Sequence, residues 1–397
     1  MSKNVIVVGA GASGLMAAIK AAEYGGRVTI LEQNGLPGRK LLVTGNGRCN
    51  LTNTNQSREC YHCGNSFFPL PAIAAFGQQE TVQFFSKLGI YTVNRGGYLY
   101  PHSGQASQVL GVLTMEAKAR GVKIRCNTGV KAVTRMNPGQ HKDLPEGGYA
   151  VRVEGYTYYC DALILANGSP ASSVEGACDS GYVLAKSLGH TIIRPEPALV
   201  PLVTREKYPW HGVRTEGKVT LYVENTPVAE STGELQLTSY GISGIPVFQV
   251  SREAARALGD GQSVTACLDF LPDFDPEGFE RFMDARKTNC PYKSEKELFV
   301  GIFPDKLIDM LMTQKDPRKA AKNLSLTVTG TGGFEKAQVC SGGVLTDEVD
   351  PFTMQSWKSR NLFFSGEILD VDGICGGYNL QWAWSSGAIA GRHAAEG

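Results

Sequence analysis

Nowhere in this 397-residue chain does an apolar run approach the ~18 residues that a membrane-spanning helix needs, which sets membrane insertion aside. Clustered charge is missing as well. The 39 Lys and Arg nearly cancel the 38 Asp and Glu, and basic residues gather in no more than scattered pairs, so nucleic acid is not the expected partner. Nor is there a disulfide framework: ten cysteines fall at irregular spacings behind no secretory leader, the pattern of reduced thiols in a cytoplasmic protein. The opening VIVVGAGASGLMAAI imitates a leader, but three glycines interrupt it and Lys20 and Glu23 follow. Neither H-E-x-x-H nor a Ser-His-Asp order occurs, so hydrolysis has no support. The pair Cys60 and Cys63 in CYHC lacks a second pair for zinc and a helix start to activate a thiol; nothing clusters with His62, and no metal site is expected. There is no internal repeat.

What is abundant is glycine. The 47 glycines make about 12% of the chain against a usual ~7%, without a triplet period, which points to many tight turns or close backbone approaches to a ligand. Hydrophobic residues, at 42%, suffice for the cores of two or three compact units.

The first such turn follows the β-branched run NVIVV at residues 4–8. In GAGASG, Gly9 allows the tight turn, Gly11 lets a pyrophosphate approach the backbone and Gly14 lets helix and strand pack closely. A helical pattern starts at Ala12, with Leu15, Ile19 and Ala22 on one face, and its N-terminus offers free N–H groups and a positive dipole end to phosphates. A second strand, RVTIL, ends at Glu32, placed to accept from a ribose diol; an acid there disfavours a 2′-phosphate, leaving FAD or NAD. With strand, turn, helix, strand and acid in order, the segment reads as a Rossmann-type dinucleotide unit.

Two further glycine-rich stretches favour FAD, whose ring must be held along its length by the same protein. GRKLLVTGNGRCNLTN brings Arg39, Lys40, Gly45, Asn46, Gly47, Arg48, Cys49 and Asn50 to the ligand. GEILDVDGICGGYNLQW brings Gly366, Glu367, Asp370, Gly377, Asn379 and Leu380, with Glu367 or Asp370 a candidate for ribityl hydroxyls. The helix from about Gly377 would turn its positive end toward the flavin pyrimidine carbonyl, while its body, with Trp382, Trp384 and Ile389, caps the core. Ala12 and Ser13 in the first turn, Gln33 beside the ribose acid, and Gly168 after the buried strand DALILANG complete the expected cofactor set. Position 54 is Thr, so the second cysteine of a C-x₄-C redox pair is missing; Cys49 is expected to be a small residue near the ring.

These stretches, with LTSYGISGIPV and CSGGV, resemble a bacterial flavoprotein family that includes 3-dehydro-bile acid Δ4,6-reductases and aminoacetone oxidases, over nearly the whole chain. The resemblance implies an α/β fold: noncovalent FAD on a Rossmann-type domain of residues 1–194 and 343–397, interrupted at 195–342 by a β-barrel-like domain with some helices. It also implies that the backbone of Val130 lies against adenine.

A coarser pass predicts helices at 78–89, 104–120 (N-capped by Ser103), 276–287 and 295–313, and a hairpin in YTVNRGGYLYP. It predicts paired strands in VKIRCNTGVKAVTRM, a hairpin in YAVRVEGYTYYC, and strand-like segments KVTLYVEN, QLTSYGISGIPVFQV and SVTACLDFLPD. VTGTGGFEKAQV reads as a turn before a strand, so NAD(P)H, the expected electron donor, has no Rossmann unit of its own and would share the open face between the domains with substrate. The expected reaction is reduction of a conjugated C=C in a small molecule of the 3-oxo steroid or 3-dehydro-bile acid type. Oxidation of a small amine by O₂ and a non-catalytic flavoprotein that binds RNA or a partner are the alternatives. Tyr240 is a candidate proton donor, but packing beside a tight turn accounts for it better, and no catalytic acid is assigned.

Overall fold

The computed structural model describes residues 2–396 and divides into two compact units, Met1–Pro195 with Val339–Gly397, and Glu196–Gln338. In the first, strands β1 (Asn4–Val8), β2 (Arg27–Leu31), β3 (Lys123–Arg125), β4 (Ala162–Leu165) and β5 (Leu362–Phe364) form a parallel sheet of order β5-β4-β1-β2-β3. Val5 pairs with Ala162 and Val28, and Leu31 with Arg125. A parallel sheet is covered on both faces, which explains why β4 and β5 are apolar throughout and fully buried instead of alternating.

Helix α1 (Ala12–Glu23) lies against α5 (Tyr378–Glu396) so closely that a Cβ on Gly387 would stand 2.5 Å from Ser13 O, and one on Gly391 2.1 Å from Ala17 O. Trp382 and Trp384 are buried, as expected of a capping helix body. The remainder of this unit holds α2 (Arg39–Val43), α3 (Ala106–Ala119) and small antiparallel sheets, including the expected hairpin of Thr92–Arg95 with Tyr98–Pro101.

Two details here differ from the sequence reading. Residues 123–125 and 132–136 do not pair with each other: the first is β3 of the parallel sheet, the second joins Gly148–Val153. The turn between them, with Asn127 left-handed at φ +53° and Thr128 N–H bonded to Glu32 O at 2.7 Å, ties the chain to the end of β2 and diverts it. Ser103 does not cap α3, whose N-cap is Gln105; the Ala106 N–H finds its acceptor in Gly47 O at 2.7 Å.

The second unit is a closed antiparallel barrel in the order 202–204, 241–244, 226–237, 214–223, 264–269, 324–331, with a core of its own. IPVFQV is not strand but the start of α4 (Ile245–Gly259), set off by Gly244 at φ +103° and by Pro246 in the first turn; Val247, Val250, Ala254 and Ala257 form its buried stripe. The predicted helix 295–313 is two, Glu295–Phe299 and Asp305–Leu311, parted by Gly301 at φ +86° and Pro304. VTGTGGFEKAQV completes a barrel strand and then makes one helical turn, Gly333–Lys336. The fold is thus the α/β Rossmann type with an inserted barrel. Among the described residues no helix is long and apolar enough to cross a membrane.

Candidate functional site

The glycines after β1 divide by what a side chain would meet. A Cβ on Gly9, at φ +103°, would stand 2.5 Å from Ala166 O, and one on Gly14 2.0 Å from Gly9 O; both glycines let the turn press against the end of β4. On Gly11 it would meet nothing within 4 Å. Open space therefore faces the start of α1, where the N–H groups of the first turn, Ala12 and Ser13 among them, have no intrahelical acceptor.

Glu32 is buried and already at work. One carboxylate oxygen accepts from Ala10 N–H at 2.7 Å, the other from Asn34 N–H and Nδ2, both at 2.9 Å. The acid thus holds the glycine turn in shape, and its two oxygens, with about four lone-pair sites, retain capacity for further donors. Gln33 Nε2 donates to Gly176 O at 2.5 Å. Val130 is half-buried on the same edge, beyond the turn that bonds Glu32 O.

The loop 44–49 coils tightly. Gly45, Asn46, Gly47 and Cys49 all have φ between +54° and +79°, and Thr44 O accepts from the N–H groups of Gly47 and Cys49 at 3.0 Å. Left-handed Asn and Cys cost backbone energy and persist where surroundings over-determine them. Burial pushes the Cys49 thiol up to about 12, which disfavours the nucleophilic thiolate. Asn46 and Arg48 are exposed, and Arg39 pairs with Glu175 at 2.9 Å.

The C-terminal loop closes on both others. Ser13 Oγ donates to Ser365 O at 3.2 Å, and a Cβ on Gly366 (φ +75°) would lie 2.4 Å from that hydroxyl. Glu367 accepts from Lys40 Nζ at 2.6 Å, Ser169 Oγ at 2.7 Å and Cys340 N–H at 2.9 Å; Asp370 accepts from Gly342 N–H at 2.9 Å. Both candidate ribityl acids therefore also clamp loops together. Gly377, at φ +97°, leads into α5, and its Cβ position is 2.9 Å from Asn50 Oδ1, a buried oxygen with no hydrogen-bond partner. Asn379 bonds both N–H and O of Gly373, at 2.8 and 2.7 Å; Leu380 packs on the core, and Gly168 turns at φ +74° in open space.

Tyr240 lies in the barrel unit, its ring under the Lys336 ammonium at 4.3 Å and its carbonyl accepting from Lys207 at 2.7 Å. Cys63 sits in a strand paired with Val371–Gly373, its thiol pushed up to about 11 by burial and held at 3.4 Å from Thr346 Oγ1. No metal-holding group of His, Cys, Asp and Glu exists among the described residues. Sequence reasoning missed Ser169, although it adjoins the glycine it selected. It could not find Asn34 or the Cys340 N–H, which carry no pattern.

The arrangement suits a dinucleotide: open space over Gly11, spare acceptors on Glu32, and unpartnered Asn50 Oδ1 and Ser365 Oγ on the second and third glycine-rich loops, with unpartnered Asn167 Oδ1 just after β4. A family model described as HI0933-like protein Rossmann domain matches residues 3–393. The chain is 43% identical to a 3-dehydro-bile acid delta(4,6)-reductase of Clostridium scindens over 98% of each chain. It is 30% identical to a ribosomal RNA dihydrouridine synthase of Escherichia coli over 96% of each. Among solved structures, a 3-ketosteroid-delta4-(5alpha)-dehydrogenase of Rhodococcus jostii superposes with TM-score 0.50 at 14% identity, covering 99% of this chain and 97% of that one, a likeness of fold.

Proposed function

The chain belongs to the HI0933-like Rossmann-domain family and is an FAD-dependent oxidoreductase, and we propose that it reduces a conjugated C=C in a small 3-oxo steroid or 3-dehydro-bile acid, with NAD(P)H as donor, in the cytoplasm. The observation that carries the site is the convergence of the three glycine-rich loops through Ser13 with Gly366 and Asn50 with Gly377. When bound, FAD supplies hydride transfer to an electron-poor double bond. The free N–H groups of α1 would hold its pyrophosphate, Glu32 a ribose diol, and the backbone at Val130 its adenine. Glu367 or Asp370 would take ribityl hydroxyls, and the first turn of α5 would face the pyrimidine carbonyl, favouring negative charge there. Cys49, a lone thiol kept protonated by burial, would serve as a small wall residue and not as a redox partner.

The relative named for ribosomal RNA raises a second substrate class. Charge favours the first: the whole chain is +1, and the barrel unit carries 17 Lys and Arg against 20 Asp and Glu, a poor surface for phosphates. Anaerobic mixing of the yellow protein with NADH or NADPH tests the reading. Bleaching reversed by a conjugated 3-oxo steroid is the expected result. Bleaching reversed only by RNA, or produced only by amines with peroxide on aeration, overturns it.

A further inference from the structure

The start of α5 is anchored by a fully buried polar cluster around the Gln381 side chain, to which the cofactor reading assigns no role. Gln381 Oε1 accepts from Thr52 Oγ1 at 2.5 Å and Thr81 Oγ1 at 3.2 Å. Its Nε2 donates to Phe76 O at 3.0 Å and Ser385 Oγ at 2.9 Å, so the carboxamide makes four hydrogen bonds. Trp384 Nε1 donates to Leu51 O at 3.0 Å. Leu51 and Thr52 directly follow Asn50, whose unpartnered Oδ1 belongs to a side chain only 8% exposed and sits beside Gly377, at the mouth of this 19-residue helix.

We infer that Gln381 is a positioning residue for the flavin: by pinning the first turn of α5 to the segment after Asn50, it fixes the helix's free N–H groups and the Asn50 carboxamide relative to one another, and so sets the oxidation–reduction equilibrium of bound FAD. The inference rests on the FAD reading above. Preorganised N–H dipoles at a helix start stabilise the negative charge that reduction places on the pyrimidine, and they lose that effect when the helix is free to tilt or fray. Gln381 is fully buried with its carboxamide saturated by protein groups, so it acts through the helix and through Thr52.

The test is Gln381→Met, which keeps the length of the side chain and removes the amide, read by equilibration of the FAD-loaded protein with a reference dye. The expected shift is about tenfold in the ratio of reduced to oxidised flavin, toward oxidised, or roughly 30 mV for a two-electron couple. Gln381→Glu supplies a rescue. A buried carboxylic acid stays protonated near neutral pH, its C=O accepting from the threonines and its O–H donating to Phe76 O. It should restore the wild-type potential there and lose it as alkali ionises the acid, a pH signature that looser packing would not produce. If Gln381→Met does not fold, Thr52→Val, which removes one of the four bonds, carries the test with a smaller shift of the same sign. An unchanged potential in the variant that folds and holds FAD overturns the positioning role and leaves the cofactor reading standing. Wild-type protein that binds no FAD overturns both.

Discussion

Glu367→Ala removes a side chain that joins three segments far apart in sequence, at Lys40, Ser169 and Cys340. The Cys340 N–H lies on a buried strand and would be left without its acceptor, at about 1–3 kcal/mol. The Ser169 hydroxyl adds about 1 kcal/mol. The Lys40 side chain keeps 30% exposure and regains water, so its share is held to about 1 kcal/mol. The loss is about 3–5 kcal/mol, which for a unit of this size lowers the melting midpoint by about 10 °C. Urea denaturation at two fixed FAD concentrations measures it and separates any change in cofactor affinity. Glu367→Gln keeps one acceptor and should lose about 1–2 kcal/mol. A double-mutant cycle with Lys40→Met should return a coupling near 1 kcal/mol. If the Ala variant falls within 1 kcal/mol of wild type, the carboxylate is not a clamp and the reasoning fails.

Because nothing lies within 4 Å of a Cβ on Gly11, Gly11→Val should fold with little loss yet bind FAD at least ~10-fold more weakly; a fluorescence titration showing wild-type affinity would remove the pyrophosphate from that turn. Glu32→Gln must turn an NH₂ toward a backbone N–H, so it should lower the stability of the FAD-free protein by about 1–3 kcal/mol as well as FAD affinity; loss of affinity alone would show that the turn does not need the acid. Cys49→Ala should keep FAD and reductive turnover within a few-fold, whereas loss of turnover with FAD retained would restore a redox role to a thiol pushed up to about 12. Burial pushes the His190 imidazolium below its usual 6.5 despite the attraction of Glu348. Burial also raises Glu348, but hydrogen bonds from Lys358 and Thr191 outweigh it and hold that acid below 4.5. The stability these two groups contribute should then be complete above pH 6.5, fall as acid protonates the imidazole, and fall again below pH 4.5; a His190→Gln melting curve with the same slope from pH 6.5 downward would exclude His190 as the source.

The parts of the fold that were legible are those whose pattern is local. A β-branched run, a glycine turn and an acid eighteen residues after Gly14 describe β1, α1 and β2 because each step constrains its neighbour. The errors arose where two local signals competed. IPVFQV, at the end of QLTSYGISGIPVFQV, reads as strand-like, yet Pro246 and the stripe at Val247, Val250, Ala254 and Ala257 follow the helical period, and burial against the barrel decides. Residues 123–136 look like two strands of one ribbon. Only the bond from Thr128 N–H to Glu32 O, made across ninety-six residues of sequence, shows why the chain parts them between two sheets.

The site was legible as loops and not as bonds. Glycine positions betray a ligand or a close contact without saying which. Gly11 and Gly168 open onto space, while Gly9, Gly14, Gly387 and Gly391 face backbone within 2.5 Å, and the letter is the same in all six. Acids are ambiguous in another way: Glu32, Glu367 and Asp370 were selected as acceptors for hydroxyls, and in the fold each first accepts from a backbone N–H. The two uses are compatible, because a carboxylate fixed by one or two donors is oriented and still has lone pairs to offer. An acid that shapes the loop and then meets the ligand costs little reorganisation at binding, which is the physical reason such residues end where a strand meets a glycine turn.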